Sequence, residues 1–199
     1  MGTWNIAYSA LVGGIVGGLS SAILASINKS REKKLPSIVV IAVVVIASFG
    51  VTTFINVNAQ GEPREKAFSK AGMTITLNDS FVEKELVAYT AYFESKTTAV
   101  LVVKEEFYFL EQLGLPTDIS LYEYGKKVGE NNYLEYDVTI KDGLAFSEFN
   151  NTVNGKDFSY LAVFFRGDDA YWVVQFTCES KNYGKYSGDF FKWAKSVEV

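Results

Sequence analysis

The chain has 199 residues, 48% of them apolar and 21% charged, with a formal net charge of −4 and a mean hydropathy of +0.08. Its length suits one ordinary domain plus an extension, not two full domains. The charge is segregated, +3 over residues 1–59 and −7 over residues 60–199, which excludes both a disordered chain and a simple soluble enzyme.

From Met1 to Asn28 no side chain is charged, and Ile6–Ile27 is mainly apolar; Leu35–Gly61 is again uncharged, with Ile38–Ile55 almost wholly Val, Ile, Ala and Phe. As helices these runs reach about 33 and 27 Å, enough for a bilayer core of about 30 Å. The second run is too long for a strand, despite its β-branched residues. Residues 1–59 are therefore expected to form a transmembrane helical hairpin. The ten residues between the spans, 28–37 (NKSREKKLPS), hold Lys29, Arg31, Lys33 and Lys34, every basic group of the front half. Such a cluster in a short loop stays cytoplasmic, and Pro36 fits the first turn of the second helix. The N-terminus, with Trp4 and Tyr8 as interfacial anchors, then lies outside, as does everything after Ala59. Val57-Asn58-Ala59 imitates a signal-peptide cleavage site, but the apolar core before it exceeds the usual length of about 7–15 residues. The reading is an uncleaved anchor, and cleavage would leave the back half outside all the same.

In the first span Gly13 and Gly17, and Gly14 and Gly18, form two GxxxG pairs. Without side chains, helix backbones approach closely, and van der Waals packing holds helices together in lipid. These glycines are expected to serve packing of one span on the other, or else self-association through the first span or docking onto another membrane protein. Neither span holds an Asp, Glu, Lys, Arg or His, which counts against an ion pathway or transporter.

Residues 60–70 (QGEPREKAFSK) are polar, include Pro63, and read as a linker. Residues 71–199 then read as an extracytoplasmic α+β domain; 26 of the chain's 30 aromatic residues lie after position 59, enough to fill a core. Met73–Leu77, Leu86–Ser95 and Ala99–Phe107 read as strands. Ser120–Gly129 reads as a helix with Leu121, Tyr124 and Val128 on one face. Asp142-Gly143 and Asn154-Gly155 are hairpin dipeptides and Gly167-Asp168-Asp169 a third turn, so Leu144–Val153, Asp157–Arg166 and Ala170–Glu179 form an antiparallel meander. The middle strand is apolar on both sides, which predicts a central strand covered on both faces, or on one face with a ligand on the other. At the end, Tyr183, Tyr186, Phe190, Trp193 and Val197 recur at helical spacing. Altogether an antiparallel sheet of about six strands with flanking helices is expected.

The sequence has no histidine, which removes histidine-based catalysis, zinc sites and pH switching. Cys178 is a lone thiol behind an apolar strand and reads as a small buried hydrophobe. Glu105 and Glu106 alternate across a strand, so only one can enter a cleft. Asp168-Asp169 is turn chemistry without the ligand spacing of a calcium loop. No phosphate-binding glycine loop occurs. Arg166-Gly167-Asp168 spells a cell-adhesion tripeptide, but the turn alone accounts for it. The sequons at Asn78 and Asn150 matter only in a glycosylating source. No catalytic residue, cofactor or metal ligand is expected. The acidity of the back half disfavours nucleic acid as a partner.

GMTITL near the start, VLVVKEEF, the hairpin DFSYLAVFFRGDDAYWVVQFTC and the closing FFKWAKSVEV together resemble the PsbP-like fold, that of the extrinsic photosystem II subunit, its nuclear Ran-binding relatives and many bacterial envelope proteins. The resemblance runs from Phe68 to Val199 and implies a fold and a tendency to act as a binding or assembly module; it assigns no functional residue to this chain. The expected function is that of a non-catalytic module, anchored in the cell membrane by two spans and binding another envelope protein. A small-ligand receptor with a cleft lined by Tyr and Phe is the alternative, and a hydrolase using carboxylates alone is a third reading. The topology has a direct test: protease added outside intact cells should remove a C-terminal tag while a cytoplasmic control survives. Protection of the tag would reverse the orientation.

Overall fold

Two-residue turns set the register of the domain. The computed structural model describes residues 63–87 and 89–199, so the two spans, the basic loop 28–37, Gly13, Gly14, Gly17, Gly18, Lys29, Arg31, Lys33 and Lys34 lie outside the described residues. Among the described residues no helix is long and apolar enough to cross a membrane.

Strands β1 (Glu65–Lys70) and β2 (Met73–Asn78) form a separate two-stranded antiparallel sheet. The main sheet is antiparallel throughout. It contains β3 (Val82–Lys84), β4 (Ala91–Glu94), β5 (Thr98–Glu106), β6 (Thr139–Lys141), β7 (Leu144–Val153), β8 (Lys156–Arg166) and β9 (Ala170–Glu179), in the order β3-β4-β5-β9-β8-β7-β6. Helix α1 (Phe107–Gln112) follows β5 directly, α2 (Leu121–Asn131) precedes β6, and a 3-10 turn at Ser180–Asn182 leads from β9 into α3 (Tyr183–Ala194).

The meander is as expected. Asp142 and Gly143 take φ of 51° and 80°, Asn154 and Gly155 take 52° and 73°, and each pair closes a two-residue hairpin, Lys141 to Leu144 and Val153 to Lys156. Positive φ at both turn positions matches the right-handed twist of the flanking strands. Three expectations need correction. The main sheet has seven strands, not about six, with a second sheet of two. Residues 65–70 of the expected linker are strand, because they pair with β2 along their whole length. Leu86–Ser95 shortens to Ala91–Glu94: Tyr89 N–H donates to Leu86 C=O at 3.1 Å, folding the apolar run into a turn before the strand begins.

Alternation along the strands gives the sheet two apolar faces. On the first, Trp172, Val174, Phe176 and Cys178 of β9 and Leu161 and Val163 of β8 pack with Phe190, Trp193 and Ala194 of α3 and Phe68, Met73, Ile75 and Leu77 of β1–β2. Val197 lies beyond α3 but joins the same core. On the second, Ala162, Phe164, Tyr171 and Val173 pack with Tyr124 and Val128 of α2. Strand β8 is thus covered on both faces. Helix α2 starts on a capping box in which Ser120 Oγ accepts from Glu123 N–H and Glu123 reaches back to Ser120 N–H, which satisfies two otherwise orphaned donors. Cys178 is fully buried, and burial pushes its thiol up to about 11.

Two glycine classes in the helices give substitutions of opposite sign. A methyl on Gly125 would meet Phe164 Cε2 at 2.7 Å and Val138 Cγ2 at 2.8 Å, whereas one on Gly184 would meet nothing within 4 Å. Gly125→Ala should destabilise the domain by about 1–2 kcal/mol, overpacking outweighing the helix gain. Gly184→Ala should stabilise it by about 0.5–1 kcal/mol. Chemical denaturation reads both, and equal signs would contradict this packing.

Candidate binding face

Helix α1 carries four apolar residues in its first turn, Phe107, Tyr108, Phe109 and Leu110, yet none of its residues is fully buried. Tyr108 is 63% exposed and Phe109 41%, their rings 5.3 Å apart, and beyond the helix Leu115 and Tyr122 are exposed at 41% and 45%. Leu113 instead turns into the domain. The helix ends in a Schellman arrangement: Gly114 takes φ of 69°, its N–H donates to Glu111 C=O at 2.9 Å, and Leu115 N–H donates to Leu110 C=O at 2.9 Å. A left-handed residue there turns the chain sharply while meeting the last carbonyls of the helix.

This protrusion is held from below by one cation. The Arg166 guanidinium at the end of β8 donates to Thr117 C=O and, at 2.7 Å, to the Tyr171 hydroxyl. The hydroxyl donates in turn to Ile119 C=O at 2.8 Å. The guanidinium also lies 4.6 Å from the Phe107 ring centre and 5.1 Å from that of Tyr171. Charge-assisted hydrogen bonds and cation–π contact thus act on the segment joining α1 to α2. Phe107 N–H donates to Asp169 C=O at 2.8 Å, tying α1 to the β8–β9 turn. Lys104 Nζ bonds Asp169 Oδ2 at 2.8 Å and lies 5.3 Å from the Trp172 ring centre. The adhesion tripeptide is therefore not displayed as a free loop, since Arg166 is turned inward onto Thr117 and Tyr171.

Beneath the clamp, Tyr124 stacks on Tyr171 at 4.3 Å and Phe107 meets the same ring edge-on at 5.0 Å. Glu105 pairs with Tyr171 across β5 and β9 and shares its face. Burial pushes the Glu105 carboxyl up to about 7, the Tyr124 hydroxyl drawing it partly back, while burial drives the Tyr124 phenol well above its ordinary range. Glu106 lies on the opposite face, 45% exposed and 3.9 Å from Lys104. The two acids separate as the alternation requires. Further along the second face, Gln175 and Thr177 are buried, and the Gln175 amide and Thr177 Oγ1 have no hydrogen-bond partner among the described residues; sequence reading singled out neither.

A groove of about 390 Å³ lies elsewhere, between the start of β1 and α3. Glu65, Asn78, Asp189, Lys192 and Trp193 line it, and Lys192 bonds Glu65 at 2.7 Å across it. That lining is ionic with a single aromatic ring, unlike the aromatic cleft expected of a small-ligand receptor. The exposed side chains of α1 and its loop are the better candidate.

The Glu105 carboxyl makes a pH-dependent contribution to stability. The folded chain keeps this proton up to about pH 7 and the unfolded chain only to about 4.5. Between those values the folded state binds more protons, so stability falls as pH rises and levels off above about 7. Glu105→Gln should remove this slope, gaining up to about 3 kcal/mol on the parent chain between pH 4.5 and 7.5. Parallel slopes for the two proteins would refute the assignment.

No family model matches the chain, and no curated protein matches it. Among solved structures, the cyanobacterial PsbP protein CyanoP of Synechocystis is similar at 13% identity and a TM-score of 0.49, over 72% of this chain and 97% of that one. The Ran-binding protein Mog1p of Saccharomyces cerevisiae is similar at 9% identity and a TM-score of 0.47, over 69% and 96%. LpqN of Mycobacterium tuberculosis, involved in cell envelope biogenesis, is similar at 10% identity and a TM-score of 0.39, over 69% and 91%.

Proposed function

We propose that this chain is a membrane-anchored, extracytoplasmic binding and assembly module without catalytic activity, whose folded domain docks on another envelope protein through the aromatic face of α1 and the following loop. The carrying observation is the group Tyr108, Phe109, Leu115 and Tyr122, exposed between 41% and 63% on a segment that Arg166 holds in place. Tyr108 and Phe109 lie ring to ring at 5.3 Å; exposed apolar side chains on a rigid support mark an interaction site, and large aromatic side chains supply most of the energy at protein interfaces. Membrane anchoring rests on the two uncharged runs of residues 1–59 and on their basic loop. Glu62, Pro63 and Arg64 are all that separate the end of the second uncharged stretch from β1, so an anchored domain would sit close to the bilayer and to other membrane proteins.

Crosslinking and copurification from native membranes test this reading. The full-length chain should recover a specific envelope protein, and Tyr108→Ser with Phe109→Ser should reduce that recovery at least about tenfold. Ile140→Ser, which also removes an exposed apolar side chain (60% exposed) but on β6, should leave it unchanged. Equal recovery by all three proteins would sink the aromatic face as the docking site.

A further inference from the structure

Strand β7 has ten residues, but β6 pairs with only its first three, Leu144, Ala145 and Phe146. Among the described residues no strand lies beside Glu148–Val153 on the side away from β8; the segment that leads into β6 leaves this edge at Ser147, whose Oγ donates to Asp137 C=O at 2.7 Å, and passes onto the second face, where Tyr136 stacks on Phe149. The turn type determines which backbone groups face that way. In a two-residue hairpin with positive φ at both turn positions, the flanking residues, here Val153 and Lys156, exchange both hydrogen bonds, and the pattern alternates from there. Val153, Asn151 and Phe149 therefore bond inward to β8, and the N–H and C=O of Thr152, Asn150 and Glu148 point outward. The Asp142-Gly143 turn gives the same parity, with Leu144 bonded to β6.

An open edge of this kind pairs with other strands unless it is shortened, charged or bulged. The two ends of the main sheet, β3 and β6, have three residues each, and β1 carries Glu65, Lys66 and Lys70. The β7 stretch carries one charge, Glu148, has no proline, and pairs with β8 in unbroken register.

We propose that this edge joins two copies of the chain, antiparallel and about a two-fold axis at Asn150, so that the sheet continues from one copy into the other. With Asn150 opposite itself, Thr152 of each copy stands opposite Glu148 of the other. All outward groups are then used in about six backbone hydrogen bonds, and no charge faces a like charge. A shift of two residues runs Thr152 onto Phe146, already paired with β6, or Glu148 onto the turn at Asn154; a shift of four toward the N-terminus sets Glu148 against Glu148. The edge is self-complementary in a single register, as a two-fold interface requires. The proposal depends neither on the membrane anchor nor on the aromatic face.

Sedimentation velocity of the full-length chain in detergent, over a concentration series, should show a reversible dimer. Thr152→Glu sets like charges opposite at two places and should raise the dimer dissociation constant about tenfold, while Thr152→Lys, which meets Glu148 with opposite charge, should leave it equal or lower. N150C should form an interchain disulfide on mild oxidation, since bonded antiparallel pairs stand about 5.5 Å apart at Cα. T152C, about 14 Å from its counterpart by strand rise, should not; Cys178 is buried and does not compete. A monomer at every concentration overturns the proposal. So does a dimer that Thr152→Glu leaves intact and N150C does not crosslink, the result expected if the glycine-rich first span or the α1 face held the copies together.

Discussion

The Arg166 guanidinium ties together parts of the chain that local sequence does not. It sits at the end of β8, donates to the carbonyl of Thr117 in the loop between α1 and α2, donates to the hydroxyl of Tyr171 at the start of β9, and stacks on Phe107 at the head of α1. A helix of six residues without a fully buried side chain has little reason to persist alone. Here its first residue is clamped between a cation and a tyrosine ring, and its last turn is closed by Gly114. A lysine could supply the charge but not the planar fork that bonds two acceptors while stacking on a ring. The aromatic face is thus fixed by what lies under it, which leaves its own side chains free to meet a partner.

Legibility followed locality. The meander was readable because Asp142-Gly143 and Asn154-Gly155 announce their turns and the strands between them alternate. The helices at Leu121–Asn131 and Tyr183–Ala194 were readable because Tyr124 with Val128, and Tyr186 with Phe190, recur at helical spacing. Strand β1 was not, since only Phe68 in it is buried and its strand character comes from pairing with β2. The connecting turn hides too, because Ala71 adopts φ of 53° where glycine, asparagine or aspartate would be the signal. Helix α1 has no signature of its own: the strand expected over Ala99–Phe107 runs onto its first residue, and Phe-Tyr-Phe-Leu suits either state, so only Leu-Gly-Leu at 113–115 marks where a helix ends.

The candidate face was less legible than the fold. Glu105 and Arg166 flank Tyr171 in register only because β5, β9 and β8 are neighbours in the sheet, and no spacing in the sequence expresses that order. The two faces also differ in kind. The first is closed by α3 and the β1–β2 hairpin around an apolar core. The second admits Glu105, Gln175 and Thr177 among its apolar residues and lies under α2 and the clamp. Polar groups in a buried layer cost stability unless paired, so the second face is the less optimised half of the domain, and it is the half that supports the exposed aromatics.

Trp172 and Trp193, the tryptophans of the described residues, both belong to the first core, whereas the rings of the second are tyrosines and phenylalanines. Their emission therefore reports on one side of the sheet alone. A loosening that lifted α1 and α2 from the second face would pass almost unseen in tryptophan fluorescence, yet it would change the near-ultraviolet dichroism of the stacked tyrosines. Tyr183 and Tyr186 pack against the first core, so among the described residues tryptophan emission singles out that core while tyrosine dichroism draws on both.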